Sequence, residues 1–525
     1  MFKRIFFSKK RVFELEFADY FYIFSGLILF AFLAFWDITK SSIWFDEAFG
    51  AYMIKFNFVE IARYTAVDVH PPLYYWLLKI WSMLFGNTEL ALRSMSVFFG
   101  AIAVVIGYLL TRRLFDRTAA RLGLLFMVIS PMLIRYSQEA RMYTLVAAIA
   151  LAATYTLVIA INSKKRLPWV IYGVLVGLGM LTHYFSAIVW IAHWIWRADT
   201  IYGVSKTKEF VKKFLSKEWI LAHIIALLVF LPWFPFFFMQ VLTVQVFGFW
   251  IPPVTPDTMI NFLSNVLFYW DTGEIQGWFA LGFMAITILI GILAFRTCDN
   301  LKDTKQIERR QSFRLIAALA FAPIILLFLM SMPPLRSTFI DRYLITSAIG
   351  IAIFIGVTLS LGIKQIGKEW RNLAIILVVG FMIIGVFNVW RLGNYNKTMH
   401  SSNNTRQIIE TIERISDKNQ PIIANTPWLF YEAVFYSTDS HPVYFIEAKD
   451  YKYGSLDMLK YNDQYKIKDI NAFTKDNAIV WYIGYIGGGD FGSPYPNWEP
   501  IQETWVNDSV SNKKAYKAIQ FKISN

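Results

Sequence analysis

Residues 20–49 read YFYIFSGLILFAFLAFWDITKSSIWFDEAF. An unbroken apolar run gives way, over a short polar stretch, to two adjacent acids, Asp46 and Glu47. A helix of about 20 apolar residues crosses a bilayer, so the run reads as a membrane span and the acids stand at its lip. The chain as a whole agrees. Its 525 residues are 56% hydrophobic and 18% aromatic, with a mean hydropathy of +0.44, and only 17% are charged. Soluble domains carry roughly 25% charged residues, so this composition describes a polytopic membrane protein rather than a soluble enzyme on one anchor.

The formal charge of +14 does not point to nucleic acid, because the basic residues fall in short loops between apolar spans. Cys298 is the only cysteine, which excludes an intramolecular disulfide. The basic start MFKRIFFSKKR followed by a span reads as an uncleaved anchor. Hydropathy marks eleven spans, at roughly 20–37, 90–111, 119–134, 141–161, 168–181, 184–197, 218–238, 275–295, 314–331, 343–362 and 372–391. The fifth and sixth meet at LTHYF, where one broken helix would fit equally well.

With the N-terminus cytoplasmic, the five inner loops hold 22 Lys and Arg and the five outer loops hold nine. That bias places the N-terminus inside and, with an odd span count, the C-terminus outside. Asp46 and Glu47 then face the extracytoplasmic side. Two domains follow: a membrane domain over 1–391 and a polar domain over 392–525. The second contains a helical pattern, TRQIIETIERI, and strand-like runs PIIAN, PVYFIE, AIVWYIGYI and AIQFKI, with a turn-rich GYIGGGDFGSPYPN. It reads as a small extracytoplasmic α/β domain.

The outer loops carry the unusual side chains. In the long first loop, Asp46 and Glu47 open a helical pattern that Ser41 or Ser42 would cap, and acids are favoured there on helix-dipole grounds alone. Adjacent helical positions point about 100° apart, so only one of the two acids does the chemistry. The other orients a neighbour, pairs with a cation or binds a metal. His70-Pro71-Pro72 precedes an amphipathic, aromatic stretch, PLYYWLLKIWSMLFG, which suits the interface plane. A lone His is commonly no more than an exposed side chain, but this one stands where membrane meets water. The next outer loop, SPMLIRYSQEARMY, supplies Gln138, Arg141 and Tyr143. Arg135 in the same loop reads plainly as a snorkelling surface residue. The junction of spans five and six supplies His183, and DRYLI supplies Arg342 and Tyr343.

These donors would suit an anionic headgroup, since guanidinium is a planar bidentate partner for phosphate. A nearby carboxylate could take a proton from an incoming hydroxyl. No Gly-rich phosphate loop of the nucleotide-binding kind is present. His70, His183 and Asp46 could gather around a divalent metal, but no H-x-x-x-H or C-x-x-C spacing supports one, and no cofactor is expected.

The ordered set WFDEAF, HPPLYYWLLKIWSMLFG, LALRSMSVFFG, YSQEARMYTL, THYF and DRYL resembles the bacterial branch of the GT-C glycosyltransferases. These include the dolichyl-phosphate-mannose protein mannosyltransferases and the lipid A aminoarabinose transferases. The resemblance covers roughly residues 20–390. It implies an α-helical polytopic membrane fold with about 11 spans and juxtamembrane helices in its long first outer loop. It implies transfer of a sugar from a polyprenyl-phosphate carrier, with inversion, to a protein, lipid or glycan acceptor on the outer face. Asp46 takes the general-base role and Glu47 a supporting one. His70, Arg141, Tyr143, His183, Arg342 and Tyr343 are implied near the donor phosphate, with Gln138 and Arg93 as supports. The sequence departs from many relatives in lacking a proline shortly after R-Y-L, where it reads RYLITSAIG. The alternative from another class is a transporter or flippase for a lipid-linked or anionic substrate, against which stands the absence of an internal repeat.

Overall fold

The computed structural model describes residues 14–202, 207–247, 250–269, 277–301, 306–393, 404–417, 419–446, 458–459, 462–486, 491–508 and 512–523. The basic N-terminal start and part of the GYIGGGDFG loop lie outside these residues. In chain order the helices are α1 (Phe17–Phe35), α2 (Phe45–Met53), α3 (Phe58–Val67), α4 (Leu73–Phe85), α5 (Glu89–Leu114), α6 (Arg117–Val128), α7 (Pro131–Ser137), α8 (Tyr143–Asn162), α9 (Leu167–Thr182) and α10 (Ser186–Tyr202). They continue as α11 (Thr207–Phe214), α12 (Lys217–Phe230), α13 (Phe234–Phe247), α14 (Asp257–Phe268), α15 (Gly277–Asn300), α16 (Ile307–Met330) and α17 (Ile345–Leu392). The C-terminal part adds α18 (Thr405–Ile415), β1 (Ile422–Ala424), α19 (Pro427–Tyr436), β2 (Val443–Ile446), β3 (Lys466–Ile467), α20 (Ile470–Asp476), β4 (Ile479–Tyr485), β5 (Trp498–Asn507) and β6 (Lys514–Ile523).

The chain forms two compact units, Met1–Trp36 with Arg93–Trp390, and Asp37–Leu92 with Arg391–Asn525. We call them the bundle unit and the sheet unit.

The bundle unit is that of a multi-pass membrane protein. Among the described residues, eight helical segments are long and apolar enough to cross a bilayer, or nine if α6 and α7, which bend by 53° at Ser130, make one span. The expected count of eleven is therefore not reproduced by length. α9 has 16 residues and α10 has 17, too short to count, whereas the tenth and eleventh spans both count within the one helical run α17. Ser130 and Pro131 account for the bend, because Ser130 caps the N-terminus of α7 and proline is suited to the first helical turn.

Helices approach closely where side chains are absent. A Cβ on Gly173 of α9 would stand 2.3 Å from the Ala222 carbonyl of α12, and one on Gly356 of α17 would stand 2.4 Å from the Gly123 nitrogen of α6. Small residues at helix crossings are what lipid-embedded packing uses, since burial from lipid offers no hydrophobic drive. One buried carboxylate is fully met inside the unit. Asp19 of α1 accepts from the Tyr108 hydroxyl at 2.7 Å and from the Arg112 and Arg117 Nε groups at 3.1 Å each.

The sheet unit holds a six-stranded sheet in the order β3-β2-β1-β4-β6-β5. The first four of these are parallel, with β6 and β5 antiparallel beyond them. The parallel strands need crossovers, and α19 and α20 lie in the β1–β2 and β3–β4 connections. The core contains Ile423, Val480, Ile519 and Phe521. The strand-like runs noted in the sequence correspond to β1, β2, β4 and β6. β4 keeps Gly484 and Tyr485, where the strand-like run and the turn-rich stretch overlap, and one correction follows: WEPIQETWVN, not marked as a strand, is the edge strand β5. Its Pro500 sits at a bulge, where an edge tolerates a residue without an N–H.

Residues 37–92 are part of this same unit. α2 packs on α19 through Phe45, Phe49 and Tyr52, whose rings lie 5.8, 5.6 and 5.3 Å from that of Tyr431.

Candidate active site

The residues singled out in the sequence divide between the two units. Asp46, Glu47 and His70 belong to the sheet unit; Arg93, Gln138, Arg141, Tyr143, His183, Arg342 and Tyr343 belong to the bundle unit.

In the sheet unit, α2 begins at Phe45 with Trp44 as its N-cap, so Asp46 and Glu47 both fall in its first turn. The expected Ser41 or Ser42 cap is not what forms. The helix starts too late for either, and the Ser42 hydroxyl instead donates to the Gln407 carboxamide at 3.0 Å. The two acids differ as their 100° separation requires. Glu47 is 1% exposed and accepts from the Trp44 backbone N–H at 3.3 Å, tying down the helix start. Asp46 is half-buried on another side of the helix. His70 sits in the bend before α4, and its Nδ1 lies 2.9 Å from the Asp68 carboxylate, which is almost wholly buried. A carboxylate on Nδ1 fixes the ring orientation and turns Nε2 away from it. Asp68 was not anticipated, although the Asp-x-His spacing in DVHPP carried the signal.

In the bundle unit, cations and rings collect where α8 and α17 begin. The Arg342 guanidinium lies over the Tyr143 ring at 6.0 Å and over the Trp250 ring at 5.1 Å. His183 lies 4.6 Å from the Tyr343 ring and 6.2 Å from the Tyr143 ring, and Phe185 stacks on Tyr343 at 4.8 Å. Four of the expected residues, Tyr143, His183, Arg342 and Tyr343, are therefore one cluster. Trp250 joins them from the segment between α13 and α14, beyond any sequence proximity.

Arg141 is 2% exposed, in the tight connection between α7 and α8, and its backbone carbonyl accepts from the Ser96 hydroxyl at 3.2 Å. Arg93 is buried in α5. The Gln138 side-chain amide donates to the Ala34 and Trp36 carbonyls at 3.1 and 2.8 Å. It closes the C-terminal end of α1, whose last carbonyls have no helical partner. Arg135, read as a surface side chain, is in an ion pair with buried Glu139 at 3.0 Å. Among the described residues, no three His, Cys, Asp or Glu side chains gather as a metal site requires.

Residues 69–236 match the family model described as dolichyl-phosphate-mannose-protein mannosyltransferase. Among solved structures, ArnT from Cupriavidus metallidurans in the apo state is similar over 95% of this chain and 98% of its own, with 12% identity and a TM-score of 0.59. The same protein bound to undecaprenyl phosphate is similar over 95% of this chain and 97% of its own, with 12% identity and a TM-score of 0.54. The chain has the GT-C superfamily fold. The Archaeoglobus fulgidus oligosaccharyltransferase, apo, is a further GT-C likeness, over 90% of this chain and 70% of its own at 13% identity, with a TM-score of 0.51. No curated protein matches the sequence.

The matched segment 69–236 includes His70, Arg93, Gln138, Arg141, Tyr143 and His183. Chemically, the bundle-unit cluster offers a fixed cation framed by aromatic faces, a setting that suits an anion with an apolar tail. The sheet-unit set offers one acid committed to the helix start and another turned elsewhere, which is what a base beside a structural carboxylate needs.

Proposed function

We propose that the protein is a membrane glycosyltransferase that moves a sugar from a polyprenyl-phosphate carrier to an acceptor hydroxyl on the extracytoplasmic face, inverting the anomeric centre. The observation that carries this reading is the Arg342 guanidinium, held over Tyr143 and Trp250 at the mouth of an apolar span, in a fold whose relative ArnT is known bound to undecaprenyl phosphate. In this reading Arg342 and Arg141 stabilise the phosphate as it gains charge on leaving. Tyr143, His183 and Tyr343 wall the headgroup, and His70, oriented by Asp68, donates to the donor from Nε2 when that nitrogen carries a proton.

Asp46 takes the proton from the attacking hydroxyl while the sugar carbon becomes oxocarbenium-like, as in other glycosyl transfers. Glu47 supports it by fixing the start of α2. Arg93 and Gln138 act from behind, Gln138 through the end of α1. The reaction needs neither nucleotide nor metal. The N-terminus lies in the cytoplasm and residues 392–525 lie outside.

Purified protein in vesicles, given a radiolabelled polyprenyl-monophosphate sugar and envelope acceptors, tests this reading. Transfer by the native protein, lost in Asp46→Asn with the fold retained, is the expected result. Net movement of the intact lipid across the bilayer without sugar transfer would establish a flippase instead. Transfer from a diphosphate donor alone would replace the monophosphate reading, and loss of activity on chelation would overturn the metal-free one.

A further inference from the structure

Between the end of α1 and the start of α2 the chain forms no regular structure, and its backbone groups need partners from elsewhere. Residues more than 350 positions later supply them. The Arg406 side chain, in the first turn of α18, donates through Nη2 to the Thr39 and Lys40 carbonyls at 3.0 and 3.3 Å, and its backbone N–H donates to the Ser42 hydroxyl at 3.1 Å. The Tyr436 hydroxyl, at the end of α19, accepts from the Ile43 N–H at 2.6 Å.

Both residues meet on one carboxylate. Arg406 Nη1 lies 2.5 Å from Glu89 Oε2, and the Tyr436 hydroxyl donates to Glu89 Oε1. Glu89 is 7% exposed, so these charge-assisted bonds are screened little by water. Beyond this irregular segment, Phe45, Phe49 and Tyr52 recur at helical spacing on the face of α2 that Tyr431 of α19 packs against. That packing sets the rotation of α2. Asp46, one residue after Phe45, therefore points about 100° away from the packed face.

We propose that Arg406, Tyr436 and Glu89 form a positioning hub through which the C-terminal part of the chain sets the position and rotation of α2 within the sheet unit, and so aims Asp46. The inference rests on the glycosyl-transfer reading for what Asp46 does, but not for how it is held. None of the three residues touches substrate in this scheme. The C-terminal part is then part of the catalytic apparatus by position, whatever acceptor it also meets.

The hub is tested on the full-length protein in vesicles with Arg406→Ala, Tyr436→Phe and the charge swap Arg406→Glu with Glu89→Arg. A misplacement of about 1 Å costs on the order of 100-fold in rate, so Arg406→Ala is expected to lower kcat by about 10- to 100-fold with the donor KM unchanged. Tyr436→Phe, which keeps the ring, is expected to lower it less, and the charge swap to recover part of the loss. Amide hydrogen exchange is expected to quicken at residues 39–50 in both single variants, with the β4 and β6 amides unchanged.

Unchanged exchange at 39–50 overturns the hub, as does exchange that quickens equally across the whole sheet unit. A raised donor KM at constant kcat overturns it too. If the native protein transfers no sugar, the functional reading falls and the exchange data still decide whether the hub exists.

Discussion

The bundle unit and the sheet unit hold together by opposite means. In the bundle unit close crossings are built on missing side chains, Gly173 against Ala222 and Gly356 against Gly123. In the sheet unit the joint between α2 and α19 is built on some of the largest, Phe45, Phe49, Tyr52 and Tyr431. The difference follows from the solvent. Lipid offers helices no hydrophobic reason to associate, so close backbone approach and dispersion must supply one. Where water competes, burying aromatic surface is itself the drive. The same division runs through the candidate chemistry, with the acids in one unit and the arginines in the other.

The sharpest probe of that division is to remove each half of the chemistry in turn. Asp46→Asn is expected to lower kcat by about 1,000-fold, within the range for a lost general base, while donor binding measured by titration stays intact. Loss of donor binding instead would move Asp46 into the cation set. Arg342→Ala is expected to cost about 100-fold in kcat/KM and, unlike Asp46→Asn, to weaken donor binding. Equal behaviour of the two variants would erase the distinction between the units.

The packing contrast makes its own claims. Gly356→Val forces a branched side chain against the Gly123 backbone and is expected to destabilise the bundle unit by about 2–3 kcal/mol or to abolish its folding, read as a lowered Tm in detergent. Tyr431→Ala should instead loosen the sheet unit, by about 3 kcal/mol, and leave the protection of bundle amides from exchange unchanged.

The smallest effect is one of pH. Burial, reinforced by the nearby Glu432, pushes the Tyr485 and Tyr516 hydroxyls well above their usual range. The unfolded chain loses those protons near pH 10 while the folded unit keeps them, so the contribution is complete below that pH and declines as pH rises above it. The sheet unit is expected to melt at progressively lower temperature above about pH 10, and Tyr516→Phe should flatten that slope.

Much of the bundle unit was legible because a span announces itself over some 20 residues of hydropathy. The break at Ser130 and Pro131 and the shortness of α9 and α10 were less so, since mean hydropathy does not see a cap or a bend. The unlike surroundings of Asp46 and Glu47, one half-buried and one buried, followed from helical geometry alone, and the Asp68–His70 pair stood two residues apart in plain view. What stayed hidden was long-range. Ser42 looked like a cap because caps are local, whereas its partner Gln407 is 365 residues away. Trp250 joins Arg342 through the fold and not through any motif. β5 escaped notice because an edge strand needs no apolar alternation, and its exposed Glu499, Gln502 and Glu503 read as loop.

The sheet unit is assembled from two stretches of chain separated by the bundle helices, and that has a consequence for how the protein is made. α2 to α4 leave the ribosome roughly 350 residues before α18 and α19, an interval of tens of seconds at ordinary synthesis rates of about 5–20 residues per second. During that time the segment bearing Asp46 has no helix to lean on and its aromatic face is bare. A nascent molecule therefore completes the joint between α2 and α19 last, after every membrane segment has been synthesised.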